Sequence, residues 1–118
     1  MRDIYYPLKN LDASAGYTPA TGALTGTITS QVWEPYRDSG GSSSVILSYI
    51  VANQGSIHIE IQGRISPNDA WQVLVDLEPL TLDPIVLSGV ISNIVAMPQM
   101  RVSITGTGAA LTQLVLAE

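Results

Sequence analysis

Apolar and polar residues alternate with a period of two along most of this chain, the spacing of strands that bury one face. In GSIHIEIQGRI, residues 55–65, Ile57, Ile59, Ile61 and Ile65 alternate with His58, Glu60, Gln62 and Arg64. Upstream, Leu24, Gly26, Ile28, Ser30 and Val32 share a face opposite Thr25, Thr27, Thr29 and Gln31. Trp33-Glu34-Pro35 ends that strand, because proline has no N–H to give a ladder. Val45, Leu47, Tyr49 and Val51 alternate with Ile46, Ser48 and Ile50, which predicts a strand covered on both faces. Asn53-Gln54-Gly55 predicts a hairpin turn and SPND, residues 66–69, a second turn.

Beyond that turn, Trp71, Val73, Val75 and Leu77 alternate with Gln72, Leu74, Asp76 and Glu78. A short helix capped by Asn68 or Asp69 is the rival assignment; the Val-Leu-Val run and Pro79 favour a strand. Thr81 to Leu87 reads as a strand interrupted at Pro84, Ser88-Gly89 as a turn, and residues 90–97 as another apolar run. Met100, Val102 and Ile104 point inward with Arg101, Ser103 and Thr105 outward, GTGA (106–109) turns the chain, and LTQLVLA closes it. Seven or eight short strands separated by turn signals, with no long helix, predict an all-β fold, an antiparallel β-sandwich or jelly roll.

Residues 1–22 break this pattern and read as an extended N-terminal arm ahead of a single domain at 23–118. Pro7, Gly16, Pro19 and Gly22 punctuate the arm. Ile4, Tyr5, Tyr6 and Leu8 form an apolar knot that must dock, either on the domain's own flank or on a neighbouring subunit, and Tyr17 adds a further anchor. RDSGGSSS, residues 37–44, reads as a flexible loop.

Composition narrows the chemistry. The 118 residues fit one domain with a real core. With no cysteine, disulfides, thiolate metal sites and cysteine nucleophiles are excluded. Charged residues are only 13% of the chain, and ten acids against five bases argue against a phosphate-seeking surface for nucleic acid. A neutral polar exterior of this kind suits a permanent assembly. No stretch has the apolar length of a membrane helix, and the N-terminus lacks the apolar run of a signal peptide, so any passage out of a cell is expected by lysis or assembly and not by secretion.

Site-forming chemistry is sparse. His58, the only histidine, shares a strand face with Glu60, which would suit a metal pair or a general base with its orienting carboxylate. A zinc site needs further ligands that the sequence does not supply, and Asp69, Asp76 and Asp83 are dispersed. The H-x-E match of His58-Ile59-Glu60 to zinc deaminases lacks its partner P-C-x-x-C. The row is therefore read as a sheet face whose charges neutralise one another, Glu60 pairing with Arg64 or a cross-strand partner, and no catalytic, cofactor or metal residue is assigned. Trp71 is expected to plug the core, while Trp33 and Tyr36 are the candidates for ligand contact.

Gln62-Gly63-Arg64, the polar turn from Ser66 to Trp71, the run from Pro98 to Thr105 and the closing strand from Leu111 to Leu116 form one further pattern. Through it, residues 45–118 resemble the small all-β structural proteins of tailed bacteriophages. It implies a non-enzymatic virion protein, in particular a capsid decoration (cement) protein that binds the outside of the major capsid lattice as a homo-oligomer, commonly a trimer. No nucleic acid, membrane or cofactor is implied. A carbohydrate- or receptor-binding module, or a tail or baseplate adaptor, is the alternative.

Overall fold

The computed structural model describes residues 4–11, 24–35 and 44–117, with backbone only at 24–25, 52–55, 78–87 and 107–112. Tyr17, Tyr36 and the serine loop as far as residue 43 lie outside the described residues. The strands are β1 (Ile4–Tyr5), β2 (Leu24–Thr29), β3 (Ser44–Arg64), β4 (Gln72–Val95) and β5 (Gln99–Ala117), with one 3-10 turn at Pro7–Lys9. All pairs are antiparallel, in the order β1-β5-β3-β4, and β2 also lies beside β5.

Three of these strands are too long to be straight. At ~3.3 Å per residue a 24-residue strand would reach roughly 80 Å, yet the longest axis of the molecule is 41 Å. The long strands therefore bend, and each contributes to two packed layers, as strands do when they cross between sheets at bulges. β2 flanks the first half of β5 and β1 its second half, so each layer has four strands. The protein is an all-β sandwich of two four-stranded antiparallel sheets.

Between the layers lies a single apolar core. β3 supplies Val45, Leu47, Val51, Ile57, Ile59 and Ile61; β5 supplies Met100, Val102, Ile104, Leu114 and Leu116; all are buried. Each fully buried aliphatic side chain contributes about 1.5–3 kcal/mol relative to exposure. Val102 and Ile104 are inside as the alternation predicts, with Arg101, Ser103 and Thr105 facing out.

Three predicted turns are not turns. Asn53-Gln54-Gly55 lies within β3, Ser88-Gly89 within β4 and GTGA within β5. The first and third of these segments mark irregularities in continuous ladders instead of reversals, and Ser88-Gly89 runs through a regular stretch of the β3–β4 ladder. The register shifts around Asn53 to Ser56 and near Gly106 to Gly108 fall where β3 and β5 bend. Gly89 answers a packing need: a Cβ there would stand 2.7 Å from the Tyr49 hydroxyl. Residues 72–78 are strand, not helix, and Asp69 closes the SPND turn by accepting from the Ser66 N–H at 3.1 Å.

β4 tolerates Pro79 and Pro84 because it is an edge strand, paired only with β3 among the described residues. Both prolines fall in bulges, where two β4 residues oppose one of β3. A further bulge holds Asn93 at φ +61°, a left-handed conformation that asparagine adopts more readily than most residues.

β2 departs from its predicted face after Ser30. Ser30 is buried and satisfied: its hydroxyl accepts from Val102 N–H at 2.9 Å and donates to Gln31 O at 3.1 Å. Gln31 N–H turns away to Asn10 O, leaving Val32 exposed, and Trp33 returns to exchange both backbone hydrogen bonds with Met100. Trp33 is 7% exposed and belongs to the core. Its ring stacks on Tyr5 at 5.4 Å with planes 4° apart. The arm's described residues thus dock on the domain's own flank: Ile4 and Tyr5 pair with Ala117 and Leu116, and Tyr5 donates to Gln31 O at 2.7 Å.

Two stability predictions follow from this packing. A Cβ at buried Gly63 would meet Met97 Cγ at 2.6 Å and Leu74 Cδ1 at 2.9 Å, so Gly63→Ala should lower unfolding free energy by about 1–3 kcal/mol in urea titration. Burial pushes the Tyr5 phenol above its usual value, with the Ser30 hydroxyl drawing it partly back. The fold favours the neutral phenol, so its contribution is complete below about pH 10 and is lost as pH rises through the raised folded value. Tyr5→Phe should cost about 1 kcal/mol at neutral pH and flatten the alkaline loss of stability, read from urea midpoints across the alkaline range.

Candidate functional site

The outward face of β3 carries the most concentrated chemistry among the described residues. Because Ile57, Ile59, Ile61 and Gly63 point into the core, His58, Glu60, Gln62 and Arg64 line the outside of their layer. Antiparallel register sets β5 residues beside them: Thr105 opposite His58, Ser103 opposite Glu60, Arg101 opposite Gln62 and Gln99 opposite Arg64. On the other side Asp76 of β4 stands opposite Glu60.

A chain of contacts runs along this face from an acidic end to a basic end. His58 Nε2 contacts Asp76 Oδ1 and lies 3.8 Å from Glu60 Oε2. Gln62 joins the two ends: its Nε2 donates to Glu60 Oε1 at 3.0 Å, and its Oε1 accepts from Arg101 Nε at 2.7 Å. Arg64 Nε donates to Gln99 Oε1 at 2.7 Å. Trp71 covers the basic end, its ring centroid 4.1 Å from the Arg64 guanidinium carbon and 4.3 Å from that of Arg101. Burial, and secondarily the charge of Arg64, lower the pKa of Arg101.

Glu60 does not pair with Arg64, the diagonal option in the sequence; it takes Gln62 and faces His58. Asp76, scattered in sequence, is brought to His58 and Glu60 by a bulge. Ile61 pairs with Val75 while Gln62 pairs with Val73, so Leu74 is the extra residue that sets the register. Without it Asp76 would face Ile59 on the buried side. The tryptophans exchange expected roles. Trp33 is a core residue stacked on Tyr5, and Trp71 is the partly exposed ring among charges. Of the arm's candidate anchors, Tyr5 is committed to Trp33 and Leu8 packs against the core, whereas Ile4 and Tyr6 are exposed.

One ligand atom from each of His58, Glu60 and Asp76 lies within 4.8 Å of the others. An imidazole with two carboxylates is a donor set that suits divalent transition metals. The same three groups also form an ion-pair cluster that needs no metal. Two surface concavities lie elsewhere. One of about 280 Å³ is lined by Arg64, Ile65, Asp69, Ala70, Gln72 and Met97. Another, of about 210 Å³, lies where Tyr6, Leu8 and Lys9 meet Gln113 to Val115. Neither is lined by His58, Glu60 or Asp76.

No protein-family model matches the chain, and no relative is found among curated proteins.

The acidic end is partly exposed, with side-chain accessibilities of 32% for His58 and 43% for Asp76. Asp76→Asn should therefore change stability by less than about 1 kcal/mol. Ile59→Ala, on β3 between His58 and Glu60 and facing the core, should cost about 2–5 kcal/mol. Urea unfolding of the two variants separates the roles of the outer and buried faces of the β3–β4 sheet.

Proposed function

We propose that the protein is a non-enzymatic structural component of a virion, a capsid decoration protein that seats on the outside of the major capsid lattice as a homo-oligomer. The observation that carries this reading is the open edge of β4. Among the described residues no strand pairs with that edge, and Val73, Val90 and Val95 on this strand are exposed at 50%, 69% and 61%. A strand with one open edge and apolar side chains is a surface that pairing or packing would cover. Bulges at both prolines restrict where a partner strand could add, which favours a defined contact over open-ended association. The resemblance of residues 45–118 to phage structural proteins supports the same reading.

The polar row fits it too. Its side chains are linked to one another by hydrogen bonds along the face, and His58, Glu60 and Asp76 lie apart from the two concavities. The glycan-binding alternative loses Trp33, which is buried against Tyr5. A tail or baseplate adaptor differs from a decoration protein in copy number.

Quantitative mass spectrometry of density-purified particles from the source culture tests the proposal. The expected result is a copy number comparable to that of the major capsid protein. A far lower number moves the protein to the tail, and absence from particles sinks the virion reading. Deleting the whole arm would also remove β1 and uncover Trp33. Tyr6→Ala and Ile4→Ser, at exposed positions, are the cleaner tests of the arm as an anchor, with reduced occupancy on particles as the expected outcome.

A further inference from the structure

Two of the five basic residues in this acidic chain converge on one ring. Arg64 and Arg101 lie against Trp71, and each spends its Nε on a glutamine oxygen, Gln99 and Gln62 respectively. These acceptors are neutral. No carboxylate among the described residues lies within ion-pair distance of either guanidinium. The nearby acids are engaged elsewhere: Glu60 by Gln62, Asp76 by His58, and Asp69 by the Ser66 N–H. Two like charges thus converge on one partly exposed aromatic ring, oriented by amides and with no counter-charge among the described residues. Paired guanidiniums fixed in orientation present a rigid fork of N–H donors suited to an oxyanion.

We propose that Arg64, Trp71 and Arg101 form a binding site for a single carboxylate, that of an aspartate or glutamate side chain on a partner polypeptide. The proposal goes beyond the virion reading and does not depend on it. A carboxylate is favoured over phosphate by the surroundings. The chain carries a net charge of −5, and the Glu60 and Asp76 carboxylates share the same sheet face. A monoanion meets less repulsion there than a dianion or a polyphosphate would. The adjoining concavity of about 280 Å³ places Ile65 and Met97 beside Arg64, so the methylenes of an acidic side chain have apolar atoms to rest on. The depressed pKa of Arg101, caused by burial and by Arg64, agrees with a site that gains from an incoming negative charge.

The test uses the full chain labelled with ¹⁵N and follows its two tryptophan indole N–H resonances, assigned with Trp71→Phe. The probe is N-acetyl-glutamate α-amide at constant ionic strength. Its neutral control is N-acetyl-glutamine α-amide, and inorganic phosphate is titrated in a separate arm. The expected result is a saturable shift of the Trp71 resonance with the carboxylate only, while the buried Trp33 resonance stays in place. Arg64→Gln or Arg101→Gln should weaken the affinity by about tenfold, the equivalent of one charge-assisted hydrogen bond. An unmoved Trp33 resonance shows that each variant is folded. Should a glutamine variant fail to fold, Arg101→Lys keeps the charge but loses the fork and should also bind more weakly. Absence of a saturable shift, an equal response to the neutral amide, saturation by phosphate but not carboxylate, or undiminished binding in the folded variants would each overturn the proposal.

Discussion

β3 is hydrogen-bonded along both of its edges, to β4 on one side and β5 on the other, for nearly all of its 21 residues. That double pairing is the constraint on which the rest of the molecule depends. A ribbon of three strands this long exposes a continuous apolar face, and no separate sheet among the described residues is available to cover it. Burial is achieved by bending the ribbon over itself, so that Val45 and Leu47 from one half of β3 share a core with Ile57, Ile59 and Ile61 from the other. The hydrophobic term selects the bend, and bulges make it geometrically possible without surrendering the ladder.

Where those bulges fall decides the character of each strand. Every β3–β4 irregularity places the extra residue on β4, at the edge, where an unpaired backbone group can still meet water. The edge consequently accommodates two prolines and a positive-φ asparagine that the central strand could not. One of these bulges, at Leu74, does more than relieve curvature. It shifts the β4 register by one residue and carries Asp76 from the buried to the outer face, beside His58 and Glu60. A local backbone irregularity thereby sets the electrostatics of the whole row.

The same point explains what was legible in the sequence. Period-two alternation identified the all-β class and the inward residues of β3 and β5, because side-chain direction is a local property of a strand. It could not distinguish a bend from a reversal. Asn53-Gln54-Gly55, Ser88-Gly89 and GTGA have the residue types of turns, and the same conformational freedom serves bulges and close packing, as Gly89 beneath Tyr49 shows. The row from His58 to Arg64 was visible as a face, but its partners were not. Counting back from the SPND turn without a bulge would have put Asp76 opposite Ile59, so only tertiary register reveals the acidic cluster. The tryptophans were misplaced for a related reason. Trp33 is buried because Tyr5, more than twenty residues upstream, stacks on it, while the alternation that marked Trp71 as inward starts just before β4 itself begins.

The division of the row into an acidic and a basic end then has a simple physical basis. Gln62 is the only described link between them, and an amide can serve there because it offers a donor to Glu60 and an acceptor to Arg101 at once. A carboxylate at that position would repel Glu60, and a cation would repel Arg101. The amide satisfies both neighbours without transferring charge from one to the other, so the acidic end is balanced by His58 only when the imidazole is protonated, and the basic end by nothing on the described chain. Trp71 lessens that imbalance through cation–π attraction to both guanidiniums. A quadrupole, however, offers weaker compensation than a full negative charge. The fold holds two cations against one ring by using neutral groups to orient them.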